Sequence, residues 1–333
     1  MPAIVLTQQE VRDLLPMGEC IELVARALTA LARGQAQNPL RSAMKLPDGG
    51  KLLGMMPASL GSPRALGLKI VTVFPGNHGT PFDSHQGLVA LFDPDDGRPI
   101  LIADGSEITA IRTAAVSAVA TRILAREDAH DLAIIGSGSQ ARTHLEAMRA
   151  VRPIERVRVH SLDRGRCEAF ARRAAMATGI DVRVTPSAGE AVAGASIVCT
   201  VTSSRVPVVR GAWLASGAHV NAVGACIPAA RELDADAVGR ARVFVDSRES
   251  AKAEAGDILL ARSEGAIDDA HVLGEIGELL CGAVEGRRSA MDVTLFKSLG
   301  LGVEDVIVAH HLHGAARARG VGVEVDLGGR RDG

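Results

Sequence analysis

Three cationic side chains in the first third of the sequence have the chemistry needed to bind a carboxylate. Lys69 interrupts an apolar stretch over residues 66–73, and Arg41 is expected on a strand near a turn. Arg112 is expected to open an alanine-rich helix. A protein rarely encloses a lysine unless the lysine is paired or functional. Lys69 is therefore the strongest candidate for an anion site, whereas Arg41 taken alone is more typical of a surface charge.

A glycine-rich turn follows an apolar strand in the middle of the chain. The strand ends in Gly136-Ser137-Gly138-Ser139-Gln140-Ala141, and a helical pattern begins there. Gly136 permits a tight turn, Gly138 lets the backbone approach a pyrophosphate, and Ala141 lets the helix pack closely on the strand. The free N–H groups of the helix terminus would hold the phosphates. The strand before the turn and the helix after it together predict a dinucleotide-binding site.

The end of the following strand should decide which nicotinamide dinucleotide binds. An NAD site usually has an acid there, about 20 residues beyond the glycine turn. Asp163 is such an acid, but it is equally well placed to cap the next helix, and we favour the cap. Ser161, with Arg164 or Arg166, would accept the 2′-phosphate of NADP(H). We therefore predict NADP(H), with NAD(H) as the alternative.

The elements that position these residues fall into two groups along the 333-residue chain, whose length suits two domains. The first third mixes helices with short strands, which is typical of an α+β unit. Beyond Asp131, strands and helices alternate, which predicts a doubly wound parallel sheet of the Rossmann type. The predicted strands of that sheet are Leu132–Ile135, Arg156–His160, Val182–Thr185, Ser196–Thr202, His219–Val223 and Arg242–Asp246.

Composition excludes several classes of protein. The 37 Lys and Arg residues nearly cancel the 39 Asp and Glu residues, so no net field attracts nucleic acid or an anionic membrane. No apolar run approaches a bilayer span, and the first residues do not resemble a signal peptide. The five cysteines and ten histidines show no metal-ligand spacing. Scattered cysteines without a CxxC pair are typical of free thiols, so we expect a cytoplasmic protein without a metal.

A series of short motifs closely resembles the ornithine cyclodeaminase/mu-crystallin family. The resemblance covers residues 5–320, and so many motifs in one order make it specific. The motifs are Gly67-Leu68-Lys69-Ile70-Val71, Pro75-Gly76-Asn77, His85-Gln86-Gly87, Leu91-Phe92-Asp93, Asp104-Gly105, Arg112-Thr113-Ala114-Ala115, Asn221-Ala222-Val223-Gly224 and Phe296-Lys297-Ser298-Leu299-Gly300.

The resemblance implies a domain organisation and a set of site residues. Residues 1–121 with 303–333 would bind substrate and dimerise through their sheet, and residues 122–302 would bind the dinucleotide. Arg41, Lys69 and Arg112 would hold the carboxylate of an amino or imino acid, with Lys69 near the reacting carbon. His85 would face the same site, as a proton relay or as a structural hydrogen-bonding group. The residues implied to line the dinucleotide are Ser84, Arg112, Thr113, Ser139, Gln140, Thr202, Val220, Asn221, Ala222, Val223 and Ser298.

The sequence departs from the cyclodeaminases of that family at two positions. Cyclodeaminases carry an Asp where this chain has Cys226, and an acid where it has Lys297. A thiol near its ordinary pKa of about 8.5 is mostly neutral at pH 7, so it does not replace a fixed anion. Both departures resemble the ketimine reductase and mu-crystallin branch of the family.

The sequence therefore predicts an NAD(P)H-dependent reductase of small imino acids, such as Δ1-pyrroline-2-carboxylate or Δ1-piperideine-2-carboxylate. Three alternatives stay open: cyclodeamination of ornithine to proline and ammonia, oxidation of an amino acid as in alanine dehydrogenases, and a non-catalytic binding protein similar to mu-crystallin. The expected partners are a small amino-acid or imino-acid substrate and a second copy of the chain.

Overall fold

A computed structural model describes residues 2–47, 50–77 and 80–327. The turn expected at Asp48 and Gly49 and the frayed tail expected from Gly328 onward lie outside these residues. The chain divides into two compact units, one with the residues up to Arg112 and from Leu301 onward, the other with Thr113–Gly300. The domain boundaries expected after residue 121 and before residue 303 stay a prediction, since compactness alone does not define a functional domain.

The strands and helices are numbered here in chain order. The strands are β1 (Ala3–Leu6), β2 (Ala36–Gln37), β3 (Ser42–Lys45), β4 (Leu52–Gly61), β5 (Arg64–Val73), β6 (His85–Phe92), β7 (Pro99–Asp104), β8 (Asp131–Ile135), β9 (Arg156–His160), β10 (Asp181–Val184), β11 (Ile197–Thr200), β12 (His219–Ala222), β13 (Ala241–Val245), β14 (Val272–Glu275), β15 (Val293–Lys297) and β16 (Val323–Val325). The helices are α1 (Gln8–Leu14), α2 (Met17–Ala32), α3 (Gly105–Leu124), α4 (Ser139–Val151), α5 (Arg164–Thr178), α6 (Ala188–Val192), α7 (Ala235–Arg240), α8 (Arg248–Glu254), α9 (Gly256–Ser263), α10 (Ile276–Leu280) and α11 (Gly302–Arg319).

The first unit is built on a mixed sheet in the order β16-β1-β7-β6-β5-β4-β2, with β3 paired to β4. The two long central strands, β4 and β5, form an antiparallel hairpin, and β5 pairs antiparallel with β6. Helix α11 packs against α2 and against the middle of this sheet. A Cβ on Gly67 of β5 would lie 2.9 Å from Val306 of α11, so a glycine there permits the close approach.

Helix α11 begins where a side chain from a distant segment supplies its cap. The N–H of Val303 donates to Oδ1 of Asn38 at 3.0 Å, which satisfies one of the free donors of the first turn. A Cβ on Gly302 would lie 2.8 Å from the carbonyl oxygen of Met56, so the helix start rests directly on the β4 backbone. Both contacts fix the position of the residues that follow in the first turn.

The second unit is a parallel sheet in the order β10-β9-β8-β11-β12-β15-β13-β14. Each neighbouring pair of its strands is parallel. This confirms the predicted α/β fold with a doubly wound parallel sheet. A core of small and branched apolar side chains lies against β8, β11, β12 and β13. Small residues such as Ala133 and Ala222 let the helices approach the sheet closely.

Two details of the sequence interpretation are wrong. The prediction had six strands in the second sheet, whereas β14 and β15 also belong to it, and β15 lies between β12 and β13. Arg112 was expected at the start of a helix, but α3 begins at Gly105, so Arg112 lies two turns inside it. The polar segment Asp104–Glu107 is the start of that helix, because Asp104 accepts a hydrogen bond from the N–H of Glu107 at 2.7 Å. In the part of the chain described, no helix is long and apolar enough to cross a membrane.

Candidate active site

Lys69 is enclosed in the first unit, in the middle of β5. It pairs with Met56 of β4 and with Val89 of β6, and its side chain is only 3% exposed. Its Nζ lies 3.0 Å from Oδ2 of Asp305 and 3.5 Å from Oγ1 of Thr109. An enclosed lysine with one carboxylate partner matches the expectation that Lys69 is not a surface charge.

Arg112 is buried in α3 and binds the same acid. Its Nε donates to Oδ1 of Asp305 at 3.0 Å, and its Nη1 donates to Oε2 of Glu304 at 2.8 Å. Asp305 therefore binds a different cation with each of its oxygen atoms. This arrangement of Lys69, Arg112, Glu304 and Asp305 is called the ionic cluster below.

The two acids of the ionic cluster were not among the residues predicted from the sequence. Glu304 and Asp305 are fully buried in the first turn of α11, where the helix dipole favours negative charge. A signal was present, because two consecutive acids open a helix that is otherwise largely apolar. Their partners could not be inferred, since Arg112 lies 192 residues from Glu304 along the chain.

Burial sets the protonation behaviour of the ionic cluster. Desolvation, together with the neighbouring charge of Arg112, lowers the pKa of Lys69 to about 8, although Asp305 and Glu304 oppose the shift. Desolvation also disfavours the charged form of Arg112, but Asp305 and Glu304 outweigh it and raise its pKa. Of the two cations in the cluster, Lys69 is therefore the one whose pKa lies close to neutral pH.

Two other predicted residues of the first unit lie near its surface. Arg41 directly precedes β3 and is partly exposed, so its expected place on a strand is wrong. Its role in binding a carboxylate stays a prediction. Ser84 directly precedes β6, and its Oγ lies 3.0 Å from Nδ1 of His85. That contact is compatible with either role considered for His85.

The glycine turn of the second unit has the geometry that a dinucleotide requires. Gly136 has a φ of +122°, and a Cβ there would lie 2.7 Å from the carbonyl oxygen of Val201. Gly138 caps α4 without any side-chain hydrogen bond, and a Cβ on it would meet open space. Oε1 of Gln140 is buried and accepts no hydrogen bond from the described residues. The free N–H groups of a helix start without a side-chain cap suit a pyrophosphate, and the nearby buried acceptor suits a hydroxyl of its ribose.

The other residues expected to line the dinucleotide differ in exposure. Asn221 is fully buried, and its side chain donates to Oγ1 of Thr121 at 2.9 Å, so the side chain serves the interior of the unit. Thr202 follows β11 and is partly exposed. The predicted lining residues that are buried are Thr113, Val220, Ala222, Val223 and Ser298, and Ser139 is exposed at the start of α4.

The segment after β9 has the cap that the sequence favoured. Asp163 accepts from the N–H of Arg166 at 3.0 Å and is the N-cap of α5. Arg166 Nε lies 3.3 Å from the same carboxylate, and Arg164 pairs with Glu168 at 2.9 Å. Both arginines are largely exposed, and Ser161 is partly buried at the end of β9.

Cys226 lies among the backbone carbonyls that follow β12 and β15. Its Sγ is 3.4 Å from the carbonyl oxygen of Val223 and 3.7 Å from that of Ser298. It is partly buried, in a position where cyclodeaminases have a carboxylate.

A doubly wound sheet with a glycine turn, together with an α+β unit that encloses a lysine and an arginine, defines a two-unit dinucleotide-binding α/β protein. The chain belongs to the ornithine cyclodeaminase/mu-crystallin family, whose model matches residues 1–320. The resemblance found in the sequence is thus confirmed.

Relatives of known function are similar over almost the whole chain. A Δ1-pyrroline-2-carboxylate reductase of Bacillus cereus is 37% identical over 325 residues, which is 97% of this chain and 100% of that protein. The ketimine reductase mu-crystallin of Mus musculus is 39% identical over 308 residues, 91% of this chain and 94% of that one.

Solved structures agree with this assignment. The Δ1-pyrroline-2-carboxylate reductase of Thermococcus litoralis, in complex with NADH and L-proline, superposes with a TM-score of 0.95 at 38% identity, covering 97% of this chain and 100% of that one. An archaeal alanine dehydrogenase dimer with bound NAD superposes with a TM-score of 0.92 at 34% identity, covering 98% and 100%.

Proposed function

We propose that the protein is an NAD(P)H-dependent reductase of small imino acids, with Δ1-pyrroline-2-carboxylate or Δ1-piperideine-2-carboxylate as substrate. The observation that carries the proposal is the enclosed Lys69 and Arg112 in a chain whose relatives include Δ1-pyrroline-2-carboxylate and ketimine reductases. The product is the corresponding L-amino acid.

The residues of the ionic cluster have separate roles in this reaction. Arg112, together with Arg41, holds the substrate carboxylate, since charge-assisted guanidinium bonds fix both the position and the orientation of the bound acid. Lys69 stabilises developing charge and gives a proton to the imine nitrogen. An ammonium with a pKa of about 8 suits that task, because it is protonated at neutral pH and releases its proton readily.

The dinucleotide, when bound, supplies the hydride that reduces the imine carbon. The chain's own part is to hold it: the uncapped start of α4 binds the pyrophosphate, and Gln140 offers a buried acceptor. NADP(H) is preferred over NAD(H), because Asp163 is committed to the cap of α5, while Ser161, Arg164 and Arg166 follow the same strand along the chain. The remaining lining residues keep the roles that the family resemblance implies.

The protein acts as a homodimer in the cytoplasm. The archaeal alanine dehydrogenase of the same fold is a dimer, which supports the homodimer. The five cysteines are free thiols, which supports the cytoplasmic location.

Oxidation of an amino acid such as alanine is the second candidate, favoured by the similarity to the archaeal alanine dehydrogenase. Cyclodeamination of ornithine is disfavoured, because a thiol, Cys226, and a cation, Lys297, stand where cyclodeaminases have acids. A panel of pyrroline, piperideine, alanine and ornithine substrates with both dinucleotides, followed by nicotinamide absorbance, separates these activities. The absence of turnover throughout would favour a binding protein.

A further inference from the structure

A buried carboxylate in the second unit collects hydrogen bonds from two neighbouring strand ends. Glu232 is fully buried. Its Oε1 accepts from the N–H and the Oγ1 of Thr202, both at 2.7 Å. Its Oε2 accepts from Oγ1 of Thr200 at 2.8 Å and from the N–H of Gly224 at 2.6 Å. Four donors thus converge on one carboxylate.

These donors belong to the segments that leave β11 and β12. The two strands are parallel neighbours, and open parallel sheets bind ligands outside the carboxyl ends of their strands. The segments touch through their backbones, because a Cβ on Gly224 would lie 2.0 Å from the carbonyl oxygen of Thr202. Glu232 therefore ties together two backbone segments at the ligand-binding edge of the sheet.

Glu232 is itself anchored to Asp257 of α9, and through Asp257 to strand β15. Its own N–H and that of Leu233 donate to Oδ1 of Asp257, at 2.7 and 2.9 Å. Oδ2 of Asp257 lies 3.1 Å from Nζ of Lys297, the last residue of β15, and both side chains are fully buried. Burial is costly for charged groups unless they are paired; here the ion pair with Lys297 and the two backbone hydrogen bonds to Oδ1 of Asp257 offset that cost. The network extends across the ends of β11, β12 and β15.

No pattern in the sequence predicted a role for Glu232 or Asp257. Both oxygens of Glu232 already accept hydrogen bonds from the protein, and Asp257 is paired with Lys297, so we assign neither of them a direct contact with a ligand. Thr202 and Val223, by contrast, are implied to line the dinucleotide, and they belong to the two segments that Glu232 joins.

We propose that Glu232 is a positioning residue for the nicotinamide dinucleotide, because it fixes the segment at Thr202 against the segment at Gly224. This rests on the proposed function, since it assumes that the second unit binds NAD(P)H. A carboxylate is needed at this position because two of the donors are backbone N–H groups, which cannot reverse their polarity.

The substitution Glu232→Gln tests this directly. Its amide nitrogen must face the N–H of either Thr202 or Gly224, so one segment has to move. We expect the Kd for NADPH, measured by nicotinamide fluorescence without substrate, to rise roughly tenfold, the equivalent of one hydrogen bond to a charged group. The KM for NADPH should rise with it, while the KM for the imino acid stays within about twofold. Glu285→Gln is the matched control, because Glu285 pairs with Arg288 at the surface. This variant should bind NADPH as tightly as the wild type does.

A second variant covers the case in which Glu232→Gln does not fold. Thr200→Val removes one donor to Oε2 and keeps the branched shape that suits a buried strand. It should weaken NADPH binding in the same direction but less. If folded Thr200→Val or Glu232→Gln bound NADPH as wild type while melting at a lower temperature, the role of Glu232 would be structural only. If the wild-type protein bound neither NADPH nor NADH, the proposed function itself would fail.

Discussion

The ionic cluster makes Arg112 responsible for two different properties. Its guanidinium neutralises Glu304 and Asp305, which are both fully buried, and it is proposed to hold the substrate carboxylate. We expect Arg112→Ala to lower kcat/KM roughly 10- to 150-fold for every imino acid accepted. It should also destabilise the fold by about 3–5 kcal/mol, since two buried acids lose the guanidinium that pairs with both of them.

Steady-state kinetics and denaturant unfolding of the same preparation separate these effects. Arg98→Ala is the control, since that arginine pairs with Asp93 and Asp96 near the surface and has no proposed role in the site. Wild-type kcat/KM in folded Arg112→Ala would show that the carboxylate is held elsewhere.

The lowered pKa of Lys69 predicts that kcat/KM depends on pH. Its pKa is lowered to about 8 by burial and by the charge of Arg112, and the protonated form is the proposed acid. The kcat/KM should therefore be constant below this pH and fall as pH rises through about 8. Asp305 raises the pKa of Lys69, so Asp305→Asn should move the fall in kcat/KM to a lower pH.

A pH profile of kcat/KM for wild-type protein and both variants, Asp305→Asn and Lys69→Gln, checks this assignment. Lys69→Gln should remove the fall together with most of the activity. An unchanged profile in active Lys69→Gln would assign the proton to another group.

At the residue scale, the sequence predicted the two cations of the ionic cluster but not its two acids. Lys69 was recognisable because it interrupts an apolar strand, and Arg112 was found by family motif. Glu304 and Asp305 are brought to them only by the packing of α11 on the sheet of the first unit. Such a pairing depends on tertiary structure, which local residue patterns do not contain.

At the scale of elements, the doubly wound sheet was predictable because each strand–helix step is local. The cap at Asp163 was predictable for the same reason. Strand β15 was missed, because its apolar residues are few and Lys297 ends it, although that lysine is fully buried. The pairing of Lys297 with Asp257 explains how a charged residue can be buried as the last residue of a central strand.

The segment between β9 and α5 predicts the choice of dinucleotide. With Asp163 used as the cap, the protein should have a lower KM for NADPH than for NADH. Replacing both Arg164 and Arg166 by Ala should raise the KM for NADPH and leave that for NADH nearly unchanged. Initial rates with both dinucleotides measure this. A KM for NADH ten times below that for NADPH in the wild type would instead assign Asp163 to the ribose.

At the scale of the whole molecule, one face of the first sheet predicts self-association. Met44, Met55 and Leu66 are exposed on the paired strands β3, β4 and β5. By the strand register these three side chains lie on the same face of the sheet, and an apolar sheet face is a candidate interaction surface. We expect a dimer in sedimentation velocity, and Met55→Glu should shift it towards monomer because it places a charge in the apolar contact. A wild-type monomer at micromolar concentration would contradict the dimer.

The central claim is that this chain reduces a C=N bond. The most direct test is turnover of Δ1-pyrroline-2-carboxylate and Δ1-piperideine-2-carboxylate with NADPH and with NADH, with the amino-acid product quantified by chromatography. We expect one L-proline or one L-pipecolate for each dinucleotide oxidised, and no proline or ammonia from ornithine in a parallel reaction. A folded, dinucleotide-binding protein that leaves both imines unreduced, or that forms proline from ornithine, would contradict the account.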